Sequence, residues 1–169
     1  MVNLETISIV FTGLSVSLAA FYYISTLRNT RRNQELQLET RQLQLYTAAY
    51  QPGQTKEWLD GLIDVLYNQE WEDYDDFMRK YGPESNPESY IAMIQVLELF
   101  TMIGLYVEQG ALDLEIVIKH NGFFAIRLWE IVEPFVRAHR ERTGNPMHWH
   151  SFEYLYGEMK GHRSQGIPG

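Results

Sequence analysis

Between Glu5 and Arg28 the chain carries no charged side chain, and this gap limits what it can fold into more than any other feature. The stretch 7–27 reads ISIVFTGLSVSLAAFYYISTL. As an α-helix these residues cover about 31 Å at 1.5 Å per residue, which matches the roughly 30 Å hydrocarbon core of a bilayer. Such a helix closes its backbone hydrogen bonds internally, as hydrocarbon demands. A cleaved signal peptide would place Lys or Arg before a short apolar run. Here Met-Val-Asn-Leu-Glu precedes a long run, and Arg28, Arg31 and Arg32 follow it. The segment 1–27 is therefore expected to be a retained transmembrane anchor, with the lipid bilayer as its first partner. Positive flanks stay on the cytoplasmic side. The expected topology is single-pass in the cell (inner) membrane, N-terminus outside and C-terminal domain cytoplasmic. Gly13, Ser17 and Ala20 form a small-residue stripe that could support a homo-oligomer. Ser8, Thr12, Ser15 and Ser25 are expected to bond back onto their own helix.

From Arg28 to Tyr50 there is neither proline nor glycine, and the strong helix formers Gln, Glu, Leu and Arg dominate. The anchor should continue as a juxtamembrane stalk over 28–50. Leu36, Leu38, Leu43 and Leu45 fall on two sides of a helix. That spacing is wrong for a coiled-coil seam and fits a helix packed on its own domain. After Gln51-Pro52-Gly53-Gln54, residues 56–67 show helical apolar spacing. An aromatic–acidic piece, 71–77, leads into a loop at 81–87. Asn86-Pro87 reads as a cap and first turn of a helix ending at Gly110. Its stretch Tyr90–Val107 is apolar nearly all round and is the alternative second span. Glu98 at its centre would cost about 2.5–3.5 kcal/mol in a membrane, so it is expected to be the central helix of the bundle. Asp113–His120, closed by Asn121-Gly122, and Phe123–Arg142, bent at Pro134, should be two further helices. A last helix is expected over 147–160 and a flexible tail over 161–169. The fold class expected is all-α, with a helical domain of about five or six helices over 51–160.

Several chemistries are excluded. The 169 residues include no cysteine, so there is no disulfide, thiolate site or Cys nucleophile. A net charge of −8 argues against nucleic acid. Residues 51–117 concentrate it, with 14 acidic against 3 basic side chains. No Walker loop, dinucleotide fingerprint or EF-hand spacing is present, and no cofactor is expected. His148 and His150 are weak metal candidates, because helical ligand pairs normally repeat at i, i+4. Glu98, inside an apolar helix, should be buried and paired with Arg127 or Arg137, since an unpaired buried carboxylate would have a raised pKa. The segment Trp71, Asp73, Tyr74, Asp76 and Phe77 is a candidate docking surface for a basic partner.

From Tyr90 to Tyr156 the runs YIAMIQVLELFTMIGLYVEQGALDLEIV, RLWEIVEPFVRAHRERTG and FEYLYGEMK resemble the small DUF4760-like membrane proteins of bacteria and archaea. The matching positions are Gly104, Leu105, Gly110, Leu112, Asp113, Trp129, Pro134, Arg137 and Phe152-Glu153-Tyr154-Leu155. Thr101-Met102 departs from the pattern, which more often has an acidic residue before the glycine. The resemblance implies an all-α, membrane-anchored protein and brings no activity with it. The function expected is a protein-interaction adaptor or accessory subunit with an unknown protein partner, not an enzyme. The alternative is a small-ligand sensor or enzyme with a pocket around Glu98, Arg127 and Arg137.

Overall fold

The computed structural model describes residues 3–164; the side chains of residues 4–7, 10, 163 and 164 lie outside that description. Among the described residues the chain is all-α, six helices joined by turns, with no strand. Its contacts divide it into two units, Met1–Arg41 and Gln42–Gly169.

The first unit is the leading part of α1, Leu4–Tyr50. No proline or glycine interrupts the run from Arg28 onward, and Leu4–Tyr50 forms one continuous helix. Thr12, Ser15, Ser17 and Thr26 each donate a hydroxyl to the carbonyl one turn back, at 2.8–2.9 Å. These bonds hide polar groups that would otherwise need water. The large apolar side chains point outward, Ile9 at 72% exposure and Phe21 at 73%. Leu36 and Leu38 also point outward from the helix, and Leu43, in the second unit, is exposed. At the end of α1, within the second unit, Leu45, Ala49 and Tyr50 are half-buried and Tyr46 is buried.

The second unit starts with the last turns of α1. A 3-10 turn at Gln51–Gln54 carries the chain past Pro52-Gly53 into α2, Lys56–Ile63. Helix α2 widens into a π turn at Asp64–Asn68. Then come α3 (Tyr74–Tyr81), α4 (Pro87–Glu108), α5 (Leu114–Thr143) and α6 (His150–Ser164). Each start from α2 to α5 has an oxygen-bearing cap. Thr55, Asp73, Asn86 and Asp113 accept from a backbone N–H in the first turn of their helices, which is worth about 1 kcal/mol apiece. Pro87 occupies the first turn of α4, where its missing N–H costs nothing.

Helix α4 packs along α6, and α6 along α5. Met93, Leu97, Phe100 and Ile103 of α4 meet Leu128, Trp129 and Phe135 of α5 and Phe152, Leu155 and Met159 of α6, all 0–1% exposed. Full burial of such side chains stabilises by roughly 1.5–3 kcal/mol each. Close approach of α4 and α6 requires Gly104, since a Cβ there would lie 3.3 Å from Leu155 Cβ and well inside contact with the Ser151 carbonyl. Gly110 has φ +67 and turns the chain out of α4.

By length and hydropathy alone, α4 could cross a membrane, and 44% of its most apolar window is buried within the protein. One face of α4 supplies the core, while Ile91, Met102 and Leu105 face outward.

Two boundaries differ from expectation. Asn121-Gly122 does not stop a helix, and α5 runs through it and through Pro134 without a break. Asn121 is buried and donates to Tyr46 Oη from α1, so tertiary packing overrides its stop signal. Pro134 sits on the exposed face, where a lost backbone bond is readily solvated. At the C-terminus α6 extends to Ser164, so 161–164 are helical rather than tail. Residues 165–169 lie outside the described residues.

Candidate functional site

Glu98, Arg127 and Arg137 do not converge. Helix α4 turns Glu98 outward, to an exposed position beside the core rather than in it. Its Oε1 accepts from Trp149 Nε1 at 3.0 Å. Arg137 is taken by Glu133 one turn earlier on α5, with Nη2 at 2.6 Å from Oε1. Arg127 is exposed on α5. An i, i+4 partner on the same helix is cheaper to hold than one across the bundle. The expected buried ion pair is replaced by an indole–carboxylate bond that links α4 to the start of α6.

Trp149 has φ 54, a left-handed conformation that a bulky side chain rarely adopts. The cost, of order 1–3 kcal/mol, is offset by its surroundings. Its ring stacks on His148 at 4.3 Å and 11°, and packs against His139 at 5.1 Å and Phe135 at 6.0 Å. Its carbonyl accepts from Phe152 N and Glu153 N, the first free donors of α6. His148 thus belongs to an aromatic cluster, and His150 is half-buried in the first turn of α6. Among the described residues no group of three His, Asp or Glu could hold a metal ion. His139 was not singled out by the sequence. Its Nδ1 lies 3.3 Å from Tyr74 Oη, and burial, then the neighbouring His148, push its pKa below the usual histidine value.

The aromatic–acidic segment is spent on packing. Phe77 is fully buried and packs on Phe135 at 4.7 Å. Tyr74 stacks on Phe135 at 5.3 Å, and Trp71 meets Phe77 edge-on at 5.7 Å. Asp73 caps α3 through Asp76 N at 2.9 Å. Asp76 pairs with Arg79 and with Lys80, and hydrogen bonding by Lys80 leads the effects that hold its pKa below the usual carboxylate range. Asp75 reaches Arg142 at 2.8 Å. The expected docking surface is therefore a helix with its aromatics turned into the core and three of its acids occupied. The alternation of aromatic and acid is the amphipathic period of a short helix.

A cavity of about 450 Å³ lies between the end of α1, the 3-10 turn, α2 and α4. Ala49, Pro52, Trp58, Ile94, Leu99 and Met102 supply its apolar wall. Thr55, Gln95 and the carboxylates Glu57 and Glu98 supply the polar groups. Trp58 is 4% exposed, and its indole Nε1–H is buried without a hydrogen-bond partner. The volume lies in the range of small-molecule sites. Of these residues the sequence singled out Glu98 alone. The Gln51–Gln54 break contained the remaining signal, because it turns the chain so that Ala49 and α2 lie beside α4.

A second, more open hollow of about 730 Å³ continues along α2 and α4 past Glu57 and Gln95 to Asp60, Asp64 and Glu88. Asp64 is occupied there, accepting from Gln69 Nε2 at 2.9 Å and Ser89 Oγ at 3.2 Å.

Comparison with known proteins places these elements in a family. No curated protein and no solved structure matches the chain. The family model described as "Domain of unknown function (DUF4760)" matches residues 9–159. That span takes in most of α1, the cavity, the Trp149 turn and the first two-thirds of α6, so the chain belongs to the DUF4760 family.

Proposed function

We propose that this protein is a single-pass membrane-anchored adaptor, with the leading part of α1 in the bilayer and residues 28–169 on the cytoplasmic side. The observation that carries the reading is the outward-facing apolar array of α1. Ile9, Phe11, Leu14, Val16, Leu18 and Phe21 are each more than half exposed on a helix whose hydroxyls are bonded internally. In water such an array is a liability; in hydrocarbon it is the solvated state. Arg28, Arg31 and Arg32 follow on the same helix, all exposed, where an anionic leaflet would hold them. Helix α4, the other apolar candidate, gives its larger side chains to the core and is read as a bundle helix. Gly13, Ser17 and Ala20 remain available for helix–helix contact, with open space around the Gly13 Cβ position.

The adaptor role is supported by the charge of the bundle. Among the described residues, Glu57, Glu84 and Glu88 are exposed and outside any ion pair, and they suit a partner with a basic surface.

The absence of native cysteine makes the topology directly testable. Asn3→Cys and Gly157→Cys, each in the full chain, are treated in intact cells with a membrane-impermeant maleimide. Asn3→Cys should label before lysis and Gly157→Cys only after it, with both variants resisting alkaline carbonate extraction. Release by carbonate, or labelling in the opposite order, would remove the anchor reading. Crosslinking in native membranes followed by affinity capture addresses the adaptor role, and recovery of this chain alone would refute it.

A further inference from the structure

We propose that the cavity between α1, the 3-10 turn, α2 and α4 binds a small amphipathic organic cation, an aryl- or alkylamine with a compact apolar body. The inference is independent of the membrane anchor and of any protein partner.

The shape argument comes first. An apolar wall of Ala49, Pro52, Trp58, Ile94, Leu99 and Met102 borders a half-open hollow of about 450 Å³. Packing beside it is tight, because a Cβ on Gly53 would approach Leu99 Cδ2 to 2.9 Å and the Tyr50 ring to 3.3 Å. Gly53 is therefore packed directly on the Leu99 side chain of that wall. A cavity this size takes a body of about ten to fifteen non-hydrogen atoms, the smaller end of drug-like ligands.

Charge selects the class. Both ionisable groups on the wall are carboxylates, Glu57 and Glu98. The nearest lysine in sequence, Lys56, is committed to Asp60 across one helical turn. Among the described residues neither Glu57 nor Glu98 has a basic partner within ion-pair distance. Glu98 uses Oε1 for Trp149, which leaves Oε2 for a ligand. An ammonium beside two unneutralised carboxylates at the mouth of an apolar cavity gains charge-assisted hydrogen bonds, while a carboxylate ligand would be repelled.

Trp58, 4% exposed, is the bulkiest side chain of that wall, and an aryl body has the flat shape to pack beside it.

The test uses the full chain in nanodiscs of zwitterionic lipid, with empty nanodiscs as the blank, and isothermal titration with three probes sharing one body. These are 4-phenylbutylamine, 4-phenylbutanol and 4-phenylbutyrate. The amine should bind saturably and at least tenfold more tightly than the carboxylate, with the alcohol between them. Glu57→Gln combined with Glu98→Gln keeps an acceptor oxygen for Trp149. It should weaken amine binding about tenfold and leave alcohol binding within twofold. Met102→Trp fills the cavity from a half-exposed position and should abolish binding of both without lowering the Tm. Absence of saturable amine binding above the blank up to millimolar concentration would overturn the proposal. So would equal affinity for amine and carboxylate, or an unchanged amine affinity in the double variant.

Discussion

Replacing Gly104 by alanine tests whether α4 and α6 are held by close backbone approach. The Cβ added at Gly104 would stand 2.6 Å from the Ser151 carbonyl carbon and nearer still to its oxygen. Carbon–carbon contacts settle at about 3.5–4.0 Å, so the two helices must part by about 1 Å. No rotamer relieves the clash, because the obstacle is backbone. Parting by about that much forfeits a quarter to a half of each van der Waals contact across the seam. Phe152, Leu155 and Met159 of α6 are 0–1% exposed, and each contributes about 2 kcal/mol through burial. The expected loss is therefore about 2–3 kcal/mol. Alanine returns about 1 kcal/mol through helix propensity, which leaves a net destabilisation of about 1–2 kcal/mol. At roughly 2–4 °C per kcal/mol, the Tm should fall by about 2–8 °C.

The assay is thermal unfolding of the full chain in a mild detergent, followed by tryptophan fluorescence. All four tryptophans, Trp58, Trp71, Trp129 and Trp149, lie in the second unit, so the signal reports that unit and not the leading part of α1. Gly157→Ala is the control. It lies within α6, and a Cβ there meets nothing within 4 Å, so propensity alone should raise stability by about 0.5–1 kcal/mol. If Gly104→Ala were as stable as the native chain while Gly157→Ala behaved as expected, the close-approach argument would fail.

Two further predictions concern the Trp149 turn. His139 holds a pKa below 6.5 in the folded protein, so below about pH 6.5 the unfolded chain binds the proton that the native ring refuses. Its contribution is fully present above pH 6.5 and is lost as pH falls through the folded pKa. Thermal unfolding between pH 7.5 and 5.5 should show that decline in the native chain and a flatter profile in His139→Gln; parallel profiles would refute it. Trp149→Phe keeps most of the stacking but removes the donor to Glu98, and because that carboxylate is exposed the cost should be about 1 kcal/mol. Glu98→Ala should cost about the same and the double variant little more, and additive losses in that cycle would show that the bond carries no coupling.

Local rules recovered most of the helices from sequence. Asn86-Pro87 announced α4 because cap and first-turn proline act within one turn, and the break at Pro52-Gly53 falls where α1 ends. Errors arose where distant contacts decide the outcome. Asn121-Gly122 reads as a stop, yet Tyr46, seventy-five positions away, satisfies the buried amide and the helix continues. Glu98 looked buried because α4 is apolar nearly all round, whereas its outward face is decided by which side α6 covers. The Trp149 cluster left no periodic signal, since it gathers Tyr74, His139 and His148 from α3, α5 and the turn before α6.

Most of the positions that carried the family resemblance are structural, Leu105, Pro134 and Arg137 on the outer faces of α4 and α5 being the exceptions. Gly104 and Gly110 permit a close approach and a positive-φ turn, and Asp113 caps α5. Leu112 is buried in the core. Trp129 meets Phe152 edge-on at 5.0 Å, and Glu153 holds Arg140 at 2.6 Å. Together they define how α4, α5 and α6 pack and leave the cavity wall almost untouched. That wall comes instead from the end of α1, the turn after it, α2 and the outer face of α4. A scaffold specified by one set of residues can keep its shape while another set changes what it binds. Substitutions at Glu57 and Glu98, both exposed, should therefore alter binding at that wall while leaving the bundle folded.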